Sequence, residues 1–247
     1  MEFPRLFSPI TIRGMTLKNR VVMPAIHHLY TPDGFCTERF SQYYWKRAEG
    51  GAGLVITGGC RFEGHGGSTA MMSLQSDAYI PGYRTFTDGM HQRGAKVAVQ
   101  LYHAGRYAKR KNIEGGDAPL APSAVYAKYS GAMPRAMTEE DIHAVTQAWC
   151  AAAGRAQKGG FDAVELVGSA GYLISQFLSP LTNLRTDSYG GTPEKRRRFP
   201  LELLLAVRAA VGPDYPILLR VSGNDFVPGS NTNEQAVAFC QEAEAAG

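Results

Sequence analysis

Five times along this chain an apolar run of five or six residues ends in a small-residue loop and is followed by an amphipathic stretch of helical length. The runs are 20–24, 53–57, 96–101, 163–167 and 217–221; the stretches are 37–49, 83–93, 138–158, 193–211 and 232–246. Continuous apolar character marks strands covered on both faces, so this alternation predicts a parallel sheet under a layer of helices. The helix ends carry their own signals. Thr138 offers a hydroxyl N-cap before Glu139, Glu140 and Asp141, acids that suit a positive helix start, and Gly159-Gly160 stops the same helix. Ahead of the first unit, residues 6–18 hold Pro9, Gly14 and alternating apolar positions, the pattern of a short hairpin.

Two architectures meet these demands, a doubly wound sheet and a TIM (β/α)8 barrel. The dinucleotide-binding doubly wound type shows GxGxxG directly after its first strand. Here that strand runs into Pro24-Ala25-Ile26-His27-His28, so the barrel is expected, as a single domain over 1–247. A closed barrel needs eight strands and five are read, while residues 244–247 close a helix. The expectation is therefore a barrel incomplete after its fifth β/α unit, with open sheet edges. An inactive barrel fragment is the reading from outside the enzyme class.

The bulk numbers exclude more than they propose. The chain is 44% apolar and 19% charged, an ordinary globular balance, with a net charge of only +4. Its one basic cluster, Lys195-Arg196-Arg197-Arg198, reads as a solvated helix face, with a phosphate site as the alternative. No nucleic-acid module is recognisable. Cys36, Cys60, Cys150 and Cys240 stand far apart, against a zinc or iron–sulfur site and in favour of a reducing compartment. With no run of ~18 apolar residues, a cytoplasmic protein with no membrane partner and no metal is expected.

The chemistry-bearing residues sit at strand ends. Pro24, Ala25 and Ile26 let a flat ligand approach backbone, or form an ordinary strand end. Gly58, in Thr57-Gly58-Gly59, allows close approach or makes a tight turn. Gln100 carries an amide whose donor and acceptor match a pyrimidine-like edge. In the same segment, His103 and Arg106 read better as loop braces. Arg220 lies inside Leu218-Leu219-Arg220-Val221, where a charge is costly unless it meets an anion, an electron-rich ring or a buried ion pair. After 163–167, the loop Gly168-Ser169-Ala170-Gly171 presents Tyr172, a phenol placed as a barrel would place a proton donor at the mouth of its strands. The polar tail 183–191 is expected to fold over that mouth.

Four segments together carry a resemblance: LFSPITIRGMTLKNRVVMPA (6–25), QLYHAGR (100–106), GYLISQFLSPLTNLRTDSYGG (171–191) and LLRVS (218–222). In this order, across essentially the whole chain, they resemble the old yellow enzyme family of NADH:flavin oxidoreductases. The resemblance implies an FMN-dependent barrel reduced by NADH or NADPH. It places Pro24, Ala25 and Ile26 along the flavin, Gly58 near its ring, Gln100 on the pyrimidine edge, and Arg220 where it stabilises reduced flavin. Tyr172 matches the family's proton-donating tyrosine. Many ene-reductases of the family carry HxxH just before that tyrosine, and here those positions are Val167 and Ala170. That loss, with GSxGYLI retained, looks like the 2,4-dienoyl-CoA reductase branch, and His27 becomes a residue that could face substrate or brace a loop. That branch normally continues into iron–sulfur and FAD-containing segments, which would belong only to a longer chain. The implied activity is reduction of a conjugated C=C bond in a small molecule, such as a CoA thioester, in a possible homo-oligomer. The alternative is an amine dehydrogenase resembling trimethylamine dehydrogenase.

Overall fold

The computed structural model describes residues 3–247. A hairpin comes first. Its strands β1 (Ile10–Ile12) and β2 (Met15–Leu17) pair antiparallel, with Ile10 opposite Leu17. The alternating units follow: β3 (Val22–Met23), α1 (Glu38–Glu49), β4 (Leu54–Arg61), β5 (Met72–Ser73), α2 (Ile80–Gln92) and β6 (Lys96–Leu101). A long connection holds the small parallel pair β7 (Leu120–Ala121) and β8 (Arg135–Ala136). Then come α3 (Glu139–Lys158), β9 (Ala163–Gly168), α4 (Leu173–Leu178), α5 (Pro193–Val211), β10 (Ile217–Val221) and α6 (Asn233–Ala246). The main sheet is parallel in the order β10-β9-β6-β4-β3, with β5 on the far end of β4. Successive strands are neighbours, as in part of a (β/α)8 barrel.

The two faces of the sheet differ by strand parity. One set, Val55, Val97, Val99, Leu101, Val164 and Leu166, packs with Phe86, Met90, Trp149 and Phe199 of the covering helices. The other set, Leu54, Ile56, Ala98 and Ala163, forms a separate cluster with Met15 and Leu17 of the hairpin. These positions lie at or near the strand starts, so the hairpin plugs the N-terminal end of the curved sheet. Ala98 and Ala163 are small enough to admit it. Two residues further along β6 and β9, the same inner face carries Gln100 and Glu165, and β10 carries Arg220 two residues after Leu218. The inner face is thus apolar below and polar above.

Several boundaries differ from the sequence expectation. The first strand covers only Val22–Met23, because Pro24 has no N–H to extend the ladder. The second runs on to Arg61 through an irregularity between Thr57 and Cys60. The helix expected over 83–93 begins at Ile80, where Pro81 is pre-organised for a first turn.

The basic cluster is only partly a solvated face. Arg196 and Arg197 are buried; Arg196 donates to the Leu178 and Gly191 carbonyls, and Arg197 forks onto Glu242 of α6 at 2.9 and 2.7 Å. The 183–191 tail is held by side-chain hydrogen bonds to its neighbours. Asn183 donates to the Phe177 and Tyr189 carbonyls, while Arg185 reaches Pro122, Met137 and Asp187, tying the tail to the β7–β8 connection. No helix among the described residues is long and apolar enough to cross a membrane.

If the hairpin is part of the core, Leu17→Ala should cost about 2–5 kcal/mol, the usual range for truncating a buried leucine. Urea unfolding of both proteins measures this. A loss of only a few tenths would mean that the hairpin merely rests on the sheet.

Candidate functional site

Above the polar layer, at the C-terminal ends of the strands, lies a cleft of about 410 Å³. That is within the usual range for a small-molecule site. Ala25 and His27 line it from the β3 end, and Gly59 and Met71 from the β4 side. Gln100, Tyr102, Tyr107, Lys109 and Tyr129 come from β6 and its long connection. Val167, Ser169, Ala170 and Tyr172 come from β9 and its loop, and Arg220 comes from β10. Of the residues singled out in the sequence, Ala25, His27, Gln100, Tyr172 and Arg220 therefore meet at one place.

Pro24, Ile26 and Gly58 do not line this cleft. Inner parity through Leu54 and Ile56 would put Gly58 inward, but the irregularity between Thr57 and Cys60 inserts a residue. Cys60 accordingly falls with Val55 on the helix side, and Gly59 takes the cleft position. Gly58 instead packs on the chain after β3, where an added Cβ would lie 2.2 Å from the Ile26 carbonyl oxygen. Its N–H donates to the Tyr44 hydroxyl at 3.0 Å. Ile26 is 45% exposed.

Gln100 is buried, and its Nε2 donates to Glu165 Oε1 at 2.7 Å. Burial pushes the Glu165 carboxyl up from its ordinary value, while the Gln100 bond and the charge of Arg220 pull it back. Arg220 is exposed, where the sequence suggested burial. It makes no ion pair among the described residues, so its guanidinium is available to a ligand.

Tyr172 is the N-cap of α4, with its ring edge-on to Tyr102 at 4.5 Å and to Tyr107 at 6.3 Å. Gln176, one turn on and fully buried, holds this wall together. Its amide donates to the Ala104 and Gly171 carbonyls and accepts from the Arg106 N–H, joining the loops after β6 and β9. Gly105, at φ 58°, makes room, since a Cβ there would meet the Gln176 side chain at 2.1 Å. Val167 and Ala170 themselves offer the adjoining wall no hydrogen-bonding side chain. His27 faces the cleft with its imidazole held below the ordinary 6.5 by desolvation, so it is neutral at pH 7.

A second polar group supports the cleft from behind. His103 is fully buried, with Nδ1 accepting from the Gly105 N–H at 3.0 Å and Nε2 lying 2.9 Å from Glu63 Oε1. Glu63 also accepts from the backbone N–H of His65 and contacts its ring at 3.2 Å. This clamps the loop of Gly67 and Met71 against β6. Glu63, Gln176 and the tyrosines 102, 107 and 129 were not singled out in the sequence. Only the QLYHAGR spacing hinted at His103, and nothing local pairs it with a glutamate forty residues earlier.

The chain matches, over residues 5–246, the model of the NADH:flavin oxidoreductase / NADH oxidase family. It belongs to that family. Among relatives, it is 49% identical over 98% of its length to a protein of Desulforamulus reducens named metal reductase, of which it covers 36%. Its fold matches 2-naphthoyl-CoA reductase, in complex with 2-naphthoyl-CoA, at TM-score 0.93 and 32% identity over 99% of this chain and 39% of that one. Morphinone reductase in complex with tetrahydroNAD follows at TM-score 0.91 and 30% identity, over 98% of this chain and 71% of that one. The chain thus spans little more than a third of the first two proteins. For a member of this flavin family the donor set is apt. Gln100 offers amide groups to a ring edge, Arg220 a free cation, and Ala25 with Val167 apolar contact.

Glu63 gives this supporting structure a pH signature. Burial alone would raise its carboxyl, but the hydrogen bonds from His103 and His65 overcome that and hold it well below the ordinary 4.5. A depressed folded-state value contributes stability fully above about pH 4.5, lost progressively as pH falls below it. The stability gap between wild type and Glu63→Gln should therefore be largest near neutrality and shrink below pH 4.5. Unfolding curves from pH 3 to 7 test this; a gap independent of pH would contradict it.

Proposed function

We propose that this chain forms the catalytic half of an FMN-dependent ene-reductase that uses NADH or NADPH to reduce a conjugated C=C bond. The convergence of Gln100, Arg220 and Tyr172 on one cleft carries this reading. Gln100 and Arg220 would hold the polar edge of the isoalloxazine, with Ala25 against the ring and Gly58 and Pro24 shaping the backbone behind it. When bound, FMN supplies the hydride chemistry. Everything else falls to the chain. Tyr172 would deliver a proton to the carbon beside the activating carbonyl, directly or through one water. His27, neutral at pH 7, would offer an N–H to that carbonyl, which neither Val167 nor Ala170 on the β9 wall can do.

The substrate class follows from the walls. Tyr102, Tyr107, Tyr129 and Tyr172 give aromatic faces and edges suited to a flat conjugated acyl group. Lys109, 5.3 Å from the centre of the Tyr129 ring, stands at the rim where an anionic handle would lie. A conjugated thioester of the 2,4-dienoyl-CoA kind, or an aryl analogue, fits both. The names of the structural neighbours, a 2-naphthoyl-CoA reductase and a morphinone reductase, support the same chemistry.

A second reading, oxidation of a tertiary amine, has the tyrosine walls in its favour, since aromatic faces attract ammonium groups. Against it, the cleft is lined by the cations Lys109 and Arg220 and by no carboxylate among the described residues. Anaerobic mixing with dimethylglycine should leave the flavin oxidised; rapid bleaching would favour the amine reading.

Two variants test the assignment. Tyr172→Phe should lower turnover of a conjugated thioester by about 10²-fold, the scale of a positioned general acid. Flavin content and the rate of flavin reduction by nicotinamide should stay near wild type. Unchanged turnover would remove Tyr172 from the mechanism. Arg220→Ala should weaken FMN retention and lower the flavin midpoint potential, because a neighbouring cation favours the anionic reduced form. A potential that stays or rises would contradict the placement of Arg220.

A further inference from the structure

Glu165 has no role in the chemistry above, yet it occupies the layer between the apolar plug and the cleft. It sits on the inner face of β9, 6% exposed, directly opposite Gln100 in the β6–β9 ladder. A buried carboxylate is costly and is rarely found without partners. Here the Gln100 amide nitrogen lies 2.7 Å from Oε1, and Arg220 supplies positive charge from β10 on the other side.

The chemistry of that contact fixes an orientation. The Glu165 oxygen accepts in that contact, so Gln100 turns its NH2 group toward Glu165. Its carbonyl oxygen then faces away, and Gln100 is itself part of the cleft lining. A glutamine without such a neighbour could present either end, since its two ends are nearly the same shape.

We propose that Glu165 is a positioning residue that locks the Gln100 amide with its carbonyl oxygen free, so that the cleft selects a ring edge bearing an N–H donor. The inference rests on the flavin reading of the cleft, where N3–H of the isoalloxazine is that donor. Glu165 does not touch the cofactor; it acts through Gln100 alone. The role is distinct from structural support, because it makes the site discriminate between two ligands of the same size.

The probes are FMN and 3-deaza-FMN, in which C–H replaces N3–H, titrated against the chain by flavin fluorescence. Wild type should bind the deaza analogue roughly tenfold more weakly, the effect of leaving a buried acceptor unmatched. In Glu165→Gln the neighbouring amide can donate or accept, so Gln100 is released and the ratio should fall to within about threefold. Glu165→Asp, which keeps the carboxylate, should retain most of the discrimination. A wild type that binds both probes alike overturns the proposal without any variant. So does a Glu165→Gln protein, folded by circular dichroism, that keeps the wild-type ratio. Failure of the wild type to bind FMN at all would instead contradict the proposed function, and this inference with it.

Discussion

The inner face of the sheet is set by one constraint, the two-residue alternation of side chains along parallel strands. At the first inward positions of β6 and β9 stand Ala98 and Ala163, with room for Met15 and Leu17 of the hairpin. At the next inward positions stand Gln100 and Glu165, joined by a 2.7 Å hydrogen bond across the ladder. A larger residue in the lower layer would expel the plug. An apolar residue in the upper layer would leave the cleft without its polar floor. Burial of the hairpin and polarity of the site are thus two consequences of one register.

Above that floor the site is assembled by contacts between loops. Gln176 spans the connections after β6 and β9, and through them sets the distance between Tyr102 and Tyr172. The Glu63–His103 contact pins the loop after β4 to the same corner. Both are buried polar groups with several partners, the arrangement that holds side chains in one geometry rather than several. Arg220 is held differently. It is exposed and makes no ion pair among the described residues.

How much of this could be read from the sequence depends on the range of the interactions. The five strand–helix units were legible because apolar runs, N-caps and glycine stops are local signals, as Thr138 and its capping box with Asp141 show. The hairpin was legible for the same reason. Gly58 was placed near the ligand, yet Gly59 reaches the cleft, because one inserted residue in β4 reverses the parity and leaves no mark in composition. Arg220 read as buried because its neighbours are apolar, whereas it is exposed in this structure. Arg196 and Arg197 looked like solvent-facing charge, but their partners, the Leu178 carbonyl and Glu242, come from other elements. Family resemblance supplied roles for Gln100 and Tyr172, and the fold brings both to one cleft.

The central claim is that the cleft over the strand ends is a flavin site organised by Gln100. A crystal structure of the chain at saturating FMN tests it most directly. The account predicts a tricyclic ring in the cleft, its pyrimidine edge within hydrogen-bond distance of the Gln100 amide and close to the Arg220 guanidinium, with Tyr172 facing the open side of the ring. A ring bound elsewhere on the chain, or a cleft that stays empty at saturation, would contradict it.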